Sequence, residues 1–309
     1  MKVRADPTRS HALGSLFIAL VIQGLWSFGL ISTLRDELFS TRPNSTLYHY
    51  TSLHGLMGII ESRQLRASEL RYMNDSTELL YALDLLQTAI AARSHQVTDE
   101  KFLLSNFSQW LHNHIARGPM LFSASFRANG NLLSQWRGYS NHGKGISLGF
   151  NHQAIQSLAS AQNFYLGECL YDVDKQQTLA GRIIDCVTSM CNQHEEISVV
   201  LQDIEADLMS ICALLKHPAF TEEQEWRLVS PIFTSATSGS IAFREGKAML
   251  VPYYLFDLEQ EGEIKLDHVY VGPTPNAALS VSALTHYLTQ KRASPAYGIS
   301  ESEIPYRPR

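Results

Sequence analysis

A short acidic run near residue 225 carries the residue types that glycosyl chemistry needs. Glu223 and Glu225 lie two residues apart, just before the segment Trp226–Val229, which is a predicted β-strand. On an extended backbone, side chains two residues apart point to the same side, so both carboxylates would face one site. One could stabilise an oxocarbenium-like centre while the other positions an acceptor. The alternative interpretation is a solvated acidic turn.

A second candidate site is the segment Tyr48–Ser52, where a predicted strand passes into a predicted helix. Its imidazole, hydroxyl groups and aromatic rings could hold a ribose or a nucleotide, and the candidate binding residues are His49, Tyr50 and Thr51. The alternative is an alternating strand followed by a helix N-cap at Ser52, with no ligand.

A third candidate is the segment from Ser134 to Gly145, in which aromatic, basic and glycine residues lie close together before a predicted strand. Its glycines permit tight backbone turns. A P-loop is excluded, because Lys144 is followed by glycine rather than by serine or threonine. The pattern predicts a ligand-binding loop with Trp136 and Tyr139 as its aromatic candidates.

The four cysteines predict neither a metal site nor a disulfide framework. No two of them form a Cys-x-x-Cys pair, and the spacing of Cys186, Cys191 and His194 fits no common structural zinc site. These three side chains are more simply explained by one amphipathic helix. We therefore expect no metal, and the cysteine usage suits a reducing compartment.

Composition excludes several classes of protein. The chain has 309 residues, of which 45% are hydrophobic and 18% charged, with a formal net charge of -5. This is enough apolar material for a folded core, so intrinsic disorder is excluded for most of the chain. A broad basic surface for nucleic acid is also excluded by the charge, although a local basic groove is not.

The hydrophobic pattern predicts short strands mixed irregularly with helices, which favours an α+β fold over a regular βαβ alternation. Helices are predicted after Ser52, after Asp75, over 101–117, over most of 175–216 with a break near 195–197, and over 277–290. Strands are predicted at 47–50, near 65, and at 119–126, 145–150, 164–171, 226–229, 248–255 and 264–271.

The amino-terminal region predicts an apolar helix and a linker over residues 1–45, ahead of one domain over 46–309. No formally charged residue occurs between Arg9 and Arg35, and Leu13–Ile31 is long enough as a helix to cross a bilayer. A membrane anchor, a signal peptide and a buried helix are the three interpretations, and the signal peptide is disfavoured by the absence of a clear cleavage site. The polar stretch 36–45 predicts the linker.

Five segments together resemble a bacterial family known as domain of unknown function 2971. In chain order they are LYHYTS, YMNDSTE, SQWRGYSNHGKGISLGF, EQEWRLV and ISESEIPYR. The resemblance covers about residues 46–307 and leaves out the amino-terminal apolar segment.

That family is in turn distantly similar to ADP-ribosyltransferases, which bind NAD in the cleft of a split β-sheet. The resemblance implies an α+β fold with a split mixed sheet, an ADP-ribosyltransferase-like core and helical insertions, the largest over 175–216. The sequence differs from the pattern of the wider superfamily in two ways. It contains this insertion, and it lacks a clear Ser-Thr-Ser strand motif before the glutamates.

The same resemblance implies a role for each candidate residue. His49 would contact a ribose hydroxyl with Thr51 beside it, and Tyr139 or Trp136 would stack on nicotinamide. Glu225 would stabilise the oxocarbenium ion as nicotinamide leaves.

Glu223 would match the first glutamate of the Glu-x-Glu pair found in arginine-directed members. The function implied is transfer of ADP-ribose from NAD to an unknown macromolecular acceptor, in defence or toxin biology by analogy. A non-catalytic nucleotide-sensing or interaction module and a carboxylate-pair hydrolase of a nucleotide or sugar are the alternatives. We expect a cytoplasmic domain, which residues 13–31 would tether to a membrane if they form an anchor.

Overall fold

Helices and strands follow one another irregularly along the chain. The computed structural model describes residues 31–73, 77–97, 100–139, 145–193, 196–234, 241–246 and 248–305. The helices are α1 (31–38), α2 (Leu53–Ser62), α3 (Thr77–Gln96), α4 (Lys101–Arg117), α5 (Leu133–Tyr139), α6 (His152–Ala161), α7 (Val173–Gln193), α8 (Ile197–Cys212) and α9 (Ala277–Gln290). The strands are β1 (Leu47–Ser52), β2 (Gln64–Glu69), β3 (Phe122–Arg127), β4 (Gly145–Phe150), β5 (Tyr165–Glu168), β6 (Glu225–Val229), β7 (Ile241–Glu245), β8 (Leu250–Asp257), β9 (Glu259–Gln260), β10 (Glu263–Ile264), β11 (Leu266–Val271) and β12 (Ile299–Glu301).

Ten of the described strands form one mixed sheet. Eight of them lie in the order β12-β11-β4-β1-β3-β2-β8-β7, while β6 pairs with β3 and β5 pairs with β6. The pair β11–β12 is parallel, and the other neighbours are antiparallel. The predictions of an α+β fold and a mixed sheet are therefore confirmed.

Two apolar clusters hold the fold together. One lies among α3, α4, α7 and α8, whose apolar stripes meet one another. The other lies between the sheet and the helices α2, α6 and α9. Strand β3 shows how sequence alternation sets the faces of the sheet, because Phe122, Ala124 and Phe126 belong to this second cluster while Ser123 and the alternate residues point the opposite way.

Most elements expected from the pattern are present. The helices over 101–117 and 277–290 and the strand over 145–150 have the predicted bounds, and the long helical region breaks between α7 and α8 as expected. The predicted ligand-binding loop over 134–145 is wrong for its first part, because α5 occupies 133–139, and residues 140–144 lie outside the described residues. Strand β7 and helix α6 were not predicted, since short amphipathic segments give weak periodicity.

The sheet splits along strand β3. Strand β6 pairs with the whole stretch from Ser123 to Arg127 and so occupies one edge of β3. On the other edge of β3, β1 pairs through Tyr48, which lies opposite Arg127. Strand β2 pairs with the same edge through Ser68, opposite Ser123, and through Glu69, opposite Phe122. Because β1 and β2 meet opposite ends of the same edge, they diverge, and a cleft opens beside the middle of β3.

The predicted linker over 36–45 begins with residues that pack into the protein. Helix α1 runs to residue 38, and Ile31, Leu34 and Phe39 are buried in the cluster of α3, α4, α7 and α8. The Phe39 ring lies 5.1 Å from that of Tyr165, and a Cβ added at Gly167 would come within 2.6 Å of it. Glycine at 167 is thus required by the close approach of Phe39.

The predicted apolar helix over 13–31 lies outside the described residues except for its last residue. Within the ranges given above, no helix is both long enough and apolar enough to cross a membrane.

We predict that Phe39→Ala lowers the free energy of unfolding by about 3 kcal/mol, because it removes a buried ring and leaves a cavity. Phe102→Ala is the matched control, since Phe102 is 81% exposed on α4. It should change stability by less than about 0.5 kcal/mol. Urea unfolding followed by circular dichroism measures both, and equal effects would mean that residue 39 is not part of the core.

Candidate functional site

A cleft of about 430 Å³ lies where the sheet splits. Strands β1, β2, β3, β6 and β7 contribute most of its walls, and the segment Tyr72–Met73, helix α5 and Lys216 supply the rest. Four of the predicted site residues line it, namely His49, Tyr50, Thr51 and Glu225. The structure therefore brings together residues that are more than 170 positions apart in the chain.

Glu225 lies at the start of β6 and is 1% exposed, so the solvated-turn interpretation is wrong for this residue. Its Oε1 accepts a hydrogen bond from Arg227 Nε at 2.8 Å and lies 3.4 Å from Arg127 Nη1. Its Oε2 accepts from Lys216 Nζ, and from Arg227 Nη2 at 3.2 Å. Three cations thus surround one carboxylate.

Glu223 joins the same network from the 3-10 turn that precedes β6. Its Oε2 accepts a hydrogen bond from Lys216 Nζ at 2.6 Å and lies 2.8 Å from Arg127 Nη2. Lys216 and Arg127 therefore bridge the two glutamates. The backbone between the glutamates is not extended as predicted, because Glu223 ends a 3-10 turn and Gln224 has a positive φ of 40°, so the two carboxylates meet through this turn. We call the network of Glu223, Glu225, Lys216, Arg127 and Arg227 the carboxylate cluster.

The carboxylate cluster keeps Glu225 ionised. Burial alone would raise the pKa of Glu225, but the positive charges of Arg227, Arg127 and Lys216 outweigh it and hold the pKa well below its usual value. Among the described residues, two carboxylates of this cluster face three cations.

His49 closes the point where β1 and β3 separate. Its Nδ1 lies 3.0 Å from the backbone carbonyl of Ser125, and because a carbonyl only accepts, Nδ1 must donate. Burial lowers the pKa of His49, and the charge of Arg127 adds to this despite the opposing effect of the hydrogen bond. The neutral imidazole then leaves Nε2 as a hydrogen-bond acceptor, which suits a hydroxyl group.

Thr51 and Ser52 are positioned by the junction of β1 with α2. Ser52 is the N-cap, and its Oγ accepts from the backbone N–H of Gly55 at 3.1 Å. A Cβ at Gly55 would lie 2.1 Å from Thr51 Oγ1, so this first turn needs glycine to pack against Thr51. The N-cap interpretation of Ser52 is correct, and it coexists with a lining role for Thr51.

Trp136 does not line the cleft, which corrects the expectation that it stacks on a ligand. It is 0% exposed, its Nε1 donates to Asn131 Oδ1 at 2.8 Å, and its ring meets that of Tyr50 edge-on at 4.9 Å. Tyr50 in turn donates to the carbonyl of Asn129 and accepts from the N–H of Leu132. Both aromatics support the cleft wall, while the side chain of Tyr139 lies outside the described residues.

Sequence reasoning missed all five cations of the cleft and several of its uncharged polar groups. The cations are Arg66, Arg127, Lys216, Arg227 and Arg244, and the uncharged groups include Ser68, Ser123 and Gln135. The alternation in FSASFR and EWRLV could have indicated Arg127 and Arg227, because polar residues that alternate with buried apolar ones share a face. Two of the missed groups, Ser123 Oγ and Gln135 Oε1, are buried and make no hydrogen bond within the described residues. Such groups normally have partners, so they mark positions where a ligand can bond.

No group of three or more histidine, cysteine, aspartate or glutamate residues within the described ranges is arranged to hold a metal ion. The cleft instead gathers guanidinium, ammonium, imidazole and hydroxyl groups. It is suited chemically to an anionic ligand that also carries hydroxyl groups.

The fold and site define an α+β protein with a cationic cleft at the split of a mixed sheet. Residues 135–228 match the family described as Protein of unknown function (DUF2971), which supports the resemblance to that family. The match is narrower than residues 46–307, which the resemblance covers. It includes all of α5 except its first two residues, includes the carboxylate cluster apart from Arg127, and excludes β1. No curated protein and no solved structure matches the chain.

We predict that Glu225→Gln lowers the free energy of unfolding by about 3–5 kcal/mol at pH 7, because it leaves three buried cations short of a partner. The pKa of Glu225 is depressed by folding, so its stabilisation is present above about pH 4.5, its usual value, and is lost as the pH falls through the folded-state pKa. The difference between the wild type and the variant should therefore shrink below pH 4.5, by up to about 1.4 kcal/mol per pH unit.

Denaturant unfolding between pH 3 and pH 8 measures this difference. Glu222→Gln changes an exposed glutamate of the same segment and serves as the control, with an expected effect below about 0.5 kcal/mol. A deficit of Glu225→Gln that stayed constant down to pH 3 would contradict the assignment.

Proposed function

We propose that this protein binds NAD in the cleft and transfers ADP-ribose to a macromolecular acceptor. The observation that carries the proposal is the convergence of His49 and Glu225 on one cavity. A site for glycosyl transfer from NAD needs an acceptor for the ribose hydroxyls and a carboxylate near the anomeric carbon, and these two residues have the required types.

The charge of the cleft supports a diphosphate-containing substrate. Five lysine or arginine side chains line it, and Glu223 and Glu225 neutralise part of this charge. A pocket with an excess of guanidinium groups favours phosphate oxygens, which guanidinium binds in a bidentate manner.

In the proposed reaction the bond between nicotinamide and ribose C1′ breaks, and nicotinamide leaves with the electron pair. The acceptor nucleophile forms the new bond to C1′ and loses its proton to Glu223, which is the carboxylate assigned to the acceptor in this proposal. Glu225 stabilises the positive charge that develops on the ribose. For this, the contacts of Glu225 with its three cations must weaken, and an anionic substrate that competes for Arg127 and Arg227 would weaken them.

A nucleotide-sensing module is the second candidate, and the carboxylate cluster is the observation that favours it. A carboxylate already held by three cations stabilises a further positive charge poorly unless those contacts change. The sensing module predicts that NAD binds while nicotinamide is not released.

We predict that the wild type releases nicotinamide from NAD and labels an acceptor in a cell extract. Glu225→Gln should lower nicotinamide release by about 10²–10³-fold and affect NAD affinity less, because the charge acts on the transition state. Glu222→Gln is the matched control and should keep the wild-type rate. Chromatography of nicotinamide and of labelled products measures both steps.

The three possible outcomes separate the hypotheses. Wild-type release by a folded Glu225→Gln variant would refute the catalytic role of this residue. Binding without release in any extract would favour the sensing module. Free ADP-ribose without labelled acceptor would indicate a hydrolase.

We predict that His49→Ala weakens NAD binding by about 1–3 kcal/mol, because a buried hydrogen-bond acceptor for the ribose is lost. His54→Ala, on the exposed face of α2, is the control and should bind like the wild type. Calorimetric titration measures both affinities. Unchanged affinity in a folded His49→Ala variant would assign the imidazole to bridging β1 and β3 alone.

A further inference from the structure

A second group of polar side chains lies in the cleft, away from the carboxylate cluster. Residues directly opposite each other in a sheet project to the same face, and so do residues two apart in one strand. Ser68 of β2 faces Ser123 on one side and Tyr253 on the other, and Arg66 is two residues from Ser68. These four side chains therefore share one face of the sheet.

Arg244 reaches the same place from β7. Arg244 lies opposite Val251 of β8, which is two residues from Tyr253, so the Arg244 side chain projects to the same face as Tyr253. Its Nη2 donates to Ser68 Oγ at 3.5 Å, and Arg66 Cζ lies 5.0 Å from the centre of the Tyr253 ring. The ring holds the Arg66 guanidinium in position through a cation–π contact.

The charges in the two parts of the cleft are balanced differently. Arg127, Lys216 and Arg227 are all engaged with glutamates in the carboxylate cluster. By contrast, neither Arg66 nor Arg244 forms an ion pair within the described residues. Uncompensated positive charge is therefore concentrated at these two guanidiniums.

A buried hydroxyl beside them lacks a partner. Ser123 is 1% exposed, lies opposite Ser68 and lines the cleft, yet its Oγ makes no hydrogen bond within the described residues. A buried hydroxyl without a partner is costly and rare. Two guanidiniums next to two serine hydroxyls form a donor set that fits the oxygens of a phosphoryl group.

We propose that Arg66, Arg244, Ser68 and Ser123 form a phosphoryl-binding subsite, with Tyr253 as a positioning residue for Arg66. The subsite deepens the proposed nucleotide function and rests on it for its ligand class, but it requires no catalysis. Strand β2 lies two strand spacings from β6, about 10 Å across the sheet, and Ser123 lies four residues from Arg127, about 13 Å along β3. Because Arg127 is opposite Glu225, the subsite and Glu225 are about 16 Å apart, a distance that suits an extended dinucleotide rather than one phosphoryl group. The phosphoryl group can come from the diphosphate of a nucleotide or from the phosphate of a nucleic-acid acceptor.

Calorimetric titration with inorganic pyrophosphate and with ADP tests the subsite directly. We expect both to bind the wild type, and Arg66→Gln and Arg244→Gln each to weaken binding by about 10- to 100-fold, as for a lost charged hydrogen bond. Tyr253→Leu should weaken binding by a smaller factor. Arg117→Gln, at an exposed position on α4, is the matched control and should bind like the wild type.

Oligonucleotides with and without a 5′-phosphate distinguish the two sources of the phosphoryl group. If oligonucleotide binding depends on the 5′-phosphate and on Arg66, the subsite holds a phosphate of a nucleic-acid acceptor. If only the binding of pyrophosphate and ADP depends on Arg66, the subsite holds the diphosphate of a nucleotide. No binding of any phosphoryl ligand, or equal binding by the wild type and both arginine variants, overturns it.

The subsite and the NAD proposal can fail separately. If pyrophosphate binds through the two arginines but NAD does not bind, the subsite stands and the proposed transferase is wrong. If NAD binds the wild type and both arginine variants equally, and no other phosphoryl ligand depends on these arginines, NAD recognition stands and the subsite is wrong.

Discussion

The pairing of β6 along one entire edge of β3 is the constraint on which the site depends. It leaves a single edge of β3 for both β1 and β2, which meet that edge at opposite ends. Backbone groups in the gap would lack ladder partners, and buried groups of this kind must be satisfied. His49 supplies one such partner by donating to the carbonyl of Ser125. One side chain thus both completes the sheet and lines the cleft.

The carboxylate cluster offsets the cost of burying two cations. Lys216 and Arg227 are each 1% exposed, and a buried cation is tolerated only with close partners of opposite charge. Glu223 and Glu225 provide these partners, and the ring of Phe220 lies 5.3 Å from the Lys216 ammonium. In such a network each member depends on the others, so the geometry of Glu225 is set by groups from three separate segments of the chain.

Local signals predicted the fold better than they predicted the site. The alternation around residue 225 and the cap at Ser52 depend on near neighbours, so the strand and the helix could be derived. The two glutamates meet through the turn at Gln224, which the expected extended backbone does not contain. Among the partners of Glu225, Arg227 lies on the same strand and could be derived from the alternation, whereas the approach of Arg127, almost a hundred residues away, depends on the pairing of β3 with β6. Trp136 was misassigned for a related reason, because its polar, glycine-containing surroundings gave no sign that Tyr50 and Asn131 would bury it.

The kinds of charged group in the cleft determine whether pH or ionic strength changes its affinity for an anion. Guanidinium groups stay protonated throughout the physiological range. His49, which titrates most easily among the lining residues, is already neutral because burial lowers its pKa. The charge presented to a ligand is therefore nearly the same in a mildly acidic and in a mildly alkaline solution. Dissolved salt screens that charge directly, so ionic strength, rather than acidity, controls how strongly the cleft attracts an anion.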